Sequence, residues 1–249
     1  MASSNSKKAA RTERAAAARA EQQRRERNRR FLTIGGVVLV MVVLIGGILA
    51  FTLNEQNRKD EKLAAAGSAA SSYGVTIGPD DAPHDLVIYE DFLCPYCGEL
   101  EKQTRDDLTE LAAAGNVQVE YRPFDLLSGS FGDYPIRATN AFAVVLDASG
   151  SDVAKEFHDL LFENQPSESN PDAVTDEDLV DLAVEAGADE ADVRPGIEDL
   201  AMEDWVTEAT QEARDAGVNG TPTLILDGEQ FSDGRTVDDL AANLIAALQ

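Results

Sequence analysis

The sequence predicts an α/β layered domain preceded by one apolar helix, and three observations carry that reading. After residue 73, short runs rich in Val, Ile and Tyr alternate with amphipathic helical stripes. The only two cysteines, Cys94 and Cys97, stand directly after the longest of those runs. An uncharged stretch of 23 residues, 31–53, separates a basic tail from an acidic remainder. Strands interleaved with helices are the pattern of a sheet covered by helical layers.

Taken in order, residues 1–30 carry ten Lys or Arg against three Glu, so this tail is basic. Residues 31–53, FLTIGGVVLVMVVLIGGILAFTL, are long enough to cross a bilayer as a helix, which needs roughly 20 apolar residues. The basic excess before this stretch places the N-terminus in the cytoplasm and the rest outside. A cleaved signal peptide competes, because AAAG at 64–67 offers a small-residue site, but the apolar region is too long for one and Ala66 lies well beyond its end. The basic tail also resembles a nucleic-acid arm; setting topology explains it without a nucleic acid. Residues 54–72, rich in small and polar side chains, read as a linker.

The expected domain is 73–249. GVTIG (74–78) is a short strand and PDDAP a turn; DLVIYEDF (85–92) is a buried strand. Leu100, Leu108, Leu111 and Ala114 form a helical stripe that Gly115 stops. NVQVEYRPF (116–124) alternates Val117, Val119 and Tyr121 on one face, as a strand does. Helices follow over 137–150, 152–164, 175–187 and 203–217, with Thr175 and Asp178 at capping-box spacing. TLILDGE (223–229) is a strand with a turn at Asp227–Gly228, and 236–249 is a terminal amphipathic helix. This domain carries eight basic and forty acidic residues. Such a charge opposes binding to DNA or anionic lipid, and either a saline habitat or genomic bias accounts for it.

The chemistry centres on CPYC. With Cys94 at the start of the helix, Pro95 falls at N1, where a missing N–H costs nothing. Cys94 and Cys97 are then one turn apart, close enough for a disulfide. Free N–H groups at the helix start stabilise a Cys94 thiolate, and Cys97, one turn in, is the resolving thiol. As a staple the pair closes too short a loop to stabilise much. As a zinc site it lacks ligands, since the only histidines are His84 in a turn and His158 in a helix, read here as solvated or packed. No metal or cofactor is expected, and a redox role remains by elimination.

EDFLCPYC together with GVNGTPTLILDG (217–228) resembles the thioredoxin superfamily, and within it the DsbA-like branch. The resemblance covers roughly 73–249 and implies a thioredoxin-like fold with a helical insertion at about 134–202. It implies a cis Pro222 beside the CxxC, with Thr221 and Pro222 offering backbone groups to an extended substrate. It further implies thiol–disulfide exchange with exported cysteine-containing proteins, in the oxidase direction, and a quinone-linked membrane partner for reoxidation. Two features depart from the branch. The acidic residue common six positions before the first cysteine is Ile88 here, which leaves Glu90, Asp91 or water to serve Cys97. Tyr96 stands where strong oxidants carry histidine, so the redox poise stays open. The rival readings are a reductase or isomerase of the same fold, and a non-catalytic membrane-tethered binding module. Phe124, Phe131, Tyr134 and Phe142 are candidates for a peptide pocket, with core packing the expected role of most.

Overall fold

The computed structural model describes residues 2–67 and 71–249; within the first helix it describes the side chains of 14, 19, 21–25, 27–31, 41 and 43–67. The chain divides into two compact units, residues 1–57 and 58–249. Helix α1 (Ala2–Gly67) supplies the first. Its described apolar residues from Met41 to Leu53, such as Ile48 and Phe51, are exposed. Among the described residues no helix is long and apolar enough to cross a membrane. The side chains of 32–40 and 42, inside the apolar stretch 31–53, lie outside that set. Residues 54–67, expected to be a linker, are helical as far as they are described, and Leu63 is buried against the domain.

The second unit is built on a five-stranded sheet in the order β1-β3-β2-β4-β5. The strands are β1 (Val75–Ile77), β2 (His84–Glu90), β3 (Val117–Pro123), β4 (Thr223–Leu226) and β5 (Glu229–Phe231). β2 runs parallel to β3 and antiparallel to β4, while β1 and β5 close the edges as antiparallel partners of β3 and β4. The central strand is apolar from Leu86 to Tyr89, where both its faces are covered. Leu86 and Ile88 join the larger core, and Val87 and Tyr89 pack with Leu63, Phe124, Val218 and Ile225 on the other side. Each such side chain withdrawn from water contributes about 1.5–3 kcal/mol before the entropy of ordering is subtracted.

Helix α2 (Pro95–Ala113) leaves the carboxyl end of β2. The chain crosses over to β3 through this helix, which is what a parallel strand pair requires. Gly115, at φ 81°, ends it as expected, because a side chain at that φ would be strained. Between β3 and β4 lie α3 (Ser128–Phe131), α4 (Tyr134–Ser149), α5 (Ser151–Glu163), a 3₁₀ turn (Pro171–Ala173), α6 (Asp176–Glu185), α7 (Glu190–Glu198) and α8 (Glu203–Asp215). The Thr175–Asp178 capping box is present with both reciprocal bonds. Helix α9 (Val237–Ala247), capped by the Thr236 side chain, ends the fold. The expected strand at 223–229 is really a hairpin: Asp227 and Gly228, both at positive φ, turn β4 into the short edge strand β5.

Candidate active site

Three elements bring the cysteines to the carboxyl end of the central strand. β2 ends at Glu90, Asp91 to Leu93 form the connection, and Cys94 becomes the N-cap of α2 with extended backbone (φ −68°, ψ 116°). Pro95 takes the first helical position. The Cys94 carbonyl already accepts from the N–H groups of Cys97 (3.1 Å) and Gly98 (3.2 Å), which fixes the first turn. The Thr221–Pro222 peptide bond is cis. The loop it belongs to lies over the cysteines, where the Cys94 thiol donates to the Thr221 carbonyl at 3.3 Å.

Both cysteines are free thiols. Their proton affinities diverge. Cys94 is held down to about 7, chiefly by a hydrogen bond with the Cys97 thiol. Burial opposes this; the Thr221 side chain and the N–H groups of Cys97 and Tyr96 reinforce it. Cys97 is pushed well above the usual thiol range, first by burial, then by Cys94 and by the negative charge of Glu90. At neutral pH one sulfur is therefore poised as a thiolate and the other is a firmly held thiol.

Although Cys94 stands at the helix start, it is covered. The residue is only 4% exposed, because the Thr221 loop covers its sulfur and Gln165 reaches over its backbone. Gln165 follows α5 and donates its amide to the carbonyls of Phe92 (2.9 Å) and Cys94 (3.0 Å). Gly98 makes room for it, since a Cβ there would stand 2.5 Å from the Gln165 amide oxygen. Beside the covered sulfur runs a groove of about 330 Å³ whose lining includes Tyr96, Thr221, Pro222, Phe231, Val237 and Leu240. Pro95 and Tyr96, the latter 64% exposed, are the parts of CPYC that face solvent. Of the aromatic candidates for a pocket, Phe124, Tyr134 and Phe142 are core and only Phe131 reaches the surface.

Glu90 and Asp91 are both fully buried, and the structure gives them different surroundings. The Asp91 carboxylate accepts from the N–H groups of Leu93 (2.8 Å), Leu126 (2.8 Å) and Leu127 (2.9 Å), so it ties the loop before α2 to the loop after β3. Burial raises its pKa to about 6 in spite of those three donors. Glu90 instead points into a buried polar cluster. Its Oε2 lies 2.8 Å from Nε2 of His158, whose Nδ1 lies 3.0 Å from Asp159. Lys155 donates to both Asp159 oxygens at 2.7 Å.

Of the two alternatives expected at this helical position, solvated or packed, His158 is packed, and it is ion-paired as well. It is fully buried, bonded at both nitrogens, and boxed by Phe92, Tyr121, Phe142 and Phe162. Burial alone would lower its pKa, but the carboxylates of Asp159, Glu90 and Glu101 outweigh that and raise it to about 9. Glu101, on α2, joins the cluster; its pKa rises to about 8, mainly through burial and then through Glu90, against the pull of His158 and Lys155. Ligand atoms of Glu101, His158 and Asp159 lie within 4.8 Å of one another. That spacing suits a metal, yet the carboxylates here already have two side-chain cations, the His158 imidazolium and Lys155, between and beside them. Gln165, Glu101 and His158 were not foreseen as site residues. The signal was there for two of them: Glu101 and His158 both interrupt the apolar stripe of their helix.

The comparisons with known proteins agree with this geometry. The family model described as thioredoxin matches residues 70–245. The chain is 30% identical over 171 residues to a protein named Na(+)/H(+) antiporter NhaA 1 from Salinispora arenicola, covering 68% of this chain and 24% of that one. It is 25% identical over 162 residues to a serine/threonine-protein kinase named PknE from Mycobacterium tuberculosis, covering 62% and 28%. It therefore spans about a quarter of the length of these curated relatives. Among solved structures, the reduced disulfide oxidoreductase DsbG of Mycobacterium tuberculosis superposes with a TM-score of 0.62 at 26% identity, over 75% of this chain and 90% of that one. Reduced DsbA of the same organism gives 0.59 at 26%, over 71% and 91%. BdbD of Bacillus subtilis shares the fold, at 0.61 and 20% identity over 73% and 96%. With its CPYC at a helix start, its cis-proline loop and a family match over most of its length, this chain belongs to the thioredoxin family.

Proposed function

We propose that the protein is a membrane-anchored thiol–disulfide oxidoreductase that acts outside the cytoplasm on exported cysteine-containing proteins. One observation carries the chemistry: a sulfur at a helix start with a pKa near 7, paired with a buried sulfur whose pKa is raised. The activity named for the DsbG structure, disulfide bond oxidoreductase, supports the same reading.

In the oxidase direction a substrate thiolate attacks Cys94 of the Cys94–Cys97 disulfide. The sulfur–sulfur bond breaks and its electron pair leaves on Cys97, which takes a proton. A second substrate thiol, having lost its proton to solvent, attacks the substrate sulfur of the mixed disulfide. Cys94 leaves as a thiolate and the substrate departs oxidised by two electrons. A quinone-linked membrane partner would take those electrons. The groove lined by Tyr96, Thr221 and Pro222 would take the substrate segment.

Membrane attachment rests on residues 31–53, supported by the exposed apolar side chains described between Met41 and Leu53, such as Leu44, Ile48 and Phe51, and by the basic tail that would stay in the cytoplasm. Alkaline extraction and protease protection of cells expressing the full chain test it: release by carbonate, or digestion of the domain only from the cytoplasmic side, defeats the placement.

A specific feature favours a second reading. A nucleophile near 7 matches the roughly 7 of thioredoxin-type thiols more than the roughly 3.5 of the strongest oxidants. A reductase or isomerase role follows if the pair is held reduced. Titrating the pair against glutathione, with trapping of its oxidation state in cells, separates the two. A potential near −270 mV with a reduced pair selects the reductase, and one near −120 mV with an oxidised pair the oxidase.

A further inference from the structure

The domain carries forty acidic residues, yet none of them lines the groove beside the nucleophile. Arg235 is the one charged residue in its wall. The cleft of about 510 Å³ between α2 and α5 shows the contrast, with Asp106, Glu110, Glu156, Asp159 and Glu163 in its lining. The groove also reaches the reactive sulfur directly. Thr221, part of its wall, accepts from the Cys94 thiol at 3.3 Å. Phe231, Val237 and Leu240 make another part of the wall apolar.

The loop that carries Arg235 is tied to α9. The Arg235 N–H donates to the Asp239 carboxylate at 3.3 Å, and the Asp239 N–H donates to Thr236 Oγ1 at 3.1 Å. Gly234 passes so close to α9 that a Cβ there would stand 2.5 Å from the Leu240 backbone nitrogen. Asn243 donates to the Asp233 carbonyl at 2.9 Å. The backbone at 233–236 is therefore fixed, while Arg235 itself is exposed. Five of the eight cations of the domain, Arg105, Arg122, Arg137, Lys155 and Arg194, are each paired with a carboxylate at 2.6–2.7 Å. Among the described residues the Arg235 guanidinium has no such partner. The acids near it in sequence are engaged or lie outside the groove: Asp238 accepts from Gln103 of α2 at 2.7 Å, Asp239 accepts the Arg235 N–H, and Asp233 is not in the wall.

We propose that Arg235 selects the substrate: the groove takes a segment of an exported protein in which an Asp or Glu stands close to the cysteine, with an apolar side chain laid on Phe231, Val237 and Leu240. This inference rests on the thiol–disulfide exchange reading and names the substrate class for it. A carboxylate that approaches the domain elsewhere meets other carboxylates and is repelled. In this groove it meets a guanidinium whose fork matches it, and no acid in the wall. A basic segment is drawn to the domain as a whole, yet it meets a like charge at the one place where its cysteine can reach Cys94. The net charge of the domain therefore governs encounter, and Arg235 governs which segment settles beside the sulfur. A small polar thiol would leave the apolar wall unused, so a polypeptide with an apolar neighbour to its cysteine is the occupant that matches both features. Arg235 takes no part in the transfer of electrons or protons; it is a specificity residue.

The test uses reduced peptides with a leucine beside the cysteine that differ only in carrying Glu, Gln or Lys one to three positions away, on either side. The rate constant with which each peptide reduces the oxidised full chain is divided by its rate with a small neutral disulfide, which removes differences in thiol acidity. At the best position Glu should be preferred over Lys by about three- to tenfold, the size of one exposed ion pair gained and one repulsion avoided. Arg235→Gln should bring that ratio to about one, and Arg235→Glu should reverse it. Because the Arg235 side chain is exposed, both replacements leave the fold in place. Arg214→Gln removes the same charge from an exposed residue of α8 outside the groove and should leave the ratio as in the parent protein. A parent protein without a Glu preference at any position, or an equal loss of preference in Arg235→Gln and Arg214→Gln, overturns the assignment. A parent protein inert toward every peptide and toward a small neutral dithiol alike would instead overturn the exchange reading on which the assignment depends.

Discussion

The two ends of one helical turn treat the same side chain in opposite ways. Around Cys94 the structure supplies a neighbouring thiol, backbone N–H groups and the Thr221 side chain, and the thiol pKa falls to about 7. Around Cys97, three residues on, it supplies burial and a carboxylate, and the pKa rises. The outer surroundings are made mostly of backbone and of residues next to the cysteines in sequence. The inner ones are made of side chains from β2, α2, β3 and α5. A negative charge is therefore stable on the outer sulfur and short-lived on the inner one, which is the asymmetry a nucleophile and a resolving thiol need.

The largest expected effect comes from removing that asymmetry. Cys94→Ser should abolish turnover of a reduced protein substrate, because the sulfur that is attacked and that leaves is gone. Cys97→Ser should leave Cys94 able to capture a substrate but unable to release it, and mixed disulfides should accumulate on non-reducing gels. Full turnover by Cys94→Ser would break the comparison outright.

The next effect concerns what holds the two surroundings together. Asp91 accepts three N–H groups from two loops, and an asparagine can accept on one oxygen only. Asp91→Asn should destabilise the fold by about 2–4 kcal/mol through N–H groups left without an acceptor, read as a lower denaturation midpoint at pH 7 with an unchanged m-value. It should do so although the aspartate itself is uncomfortable. With a folded pKa near 6 against 3.8, the folded state binds the proton more tightly, so this group's contribution to stability is full below the unfolded value and is lost as pH rises through about 6.

Glu101 extends the same logic to the inner cluster, with a smaller effect of opposite sign. Its folded pKa near 8 against 4.5 means that folding gets progressively harder from about pH 4.5 up to 8 as the unfolded chain alone releases its proton. Glu101→Gln removes that penalty and should stabilise the reduced protein above pH 8 by roughly 1–3 kcal/mol, while changing little at pH 4. His158 adds a slope in the same sense: its stabilisation is complete below 6.5 and is lost as pH rises through about 9. Above pH 6, where the Asp91 slope is complete, a denaturation series up to pH 10 should show both slopes in the parent protein and only the His158 slope in Glu101→Gln. A destabilised Glu101→Gln at pH 9 would mean that the carboxylate is satisfied in solution.

The outer surroundings were legible in the sequence and the inner ones were not, for a physical reason. Cys94, Pro95 and Cys97 sit in one turn, so the helix geometry follows from local spacing alone. Thr221 and Pro222 are distant but sit in a recognisable stretch. The Glu90–His158 contact joins residues 68 positions apart and depends on how α5 packs against the sheet, which no local pattern specifies. What the sequence does show is a histidine inside the apolar stripe formed by Ala154, Phe157, Leu161 and Phe162, and a glutamate between Leu100 and Thr104 on the buried face of α2. A titratable residue in a core-facing position is a reason to look for a partner. The α/β order and the helical insertion were likewise readable, while α3, α7 and β5 were missed because they are short or interrupted, α7 by Pro195.

The smallest effect sharpens the comparison at its outer end. Tyr96 lies between the cysteines, is largely exposed, and offers the Cys94 sulfur its N–H but no charge. Tyr96→His would add a cation whenever the imidazole is protonated. Because the position is open to solvent, the attraction is screened, and the Cys94 pKa should fall by about one unit or less. A move from about 7 to about 6 would stabilise the reduced form roughly fivefold at pH 7, making the pair about 20 mV more oxidising. Thiolate absorbance against pH gives the first number and a glutathione titration the second. The shift should shrink in molar salt and vanish above the imidazole pKa, whereas Cys97 should titrate as before, since nothing at the surface reaches it. A Tyr96→His variant with both sulfurs moved together would show that the two surroundings are one coupled system and that the separation between them is weaker than the geometry indicates.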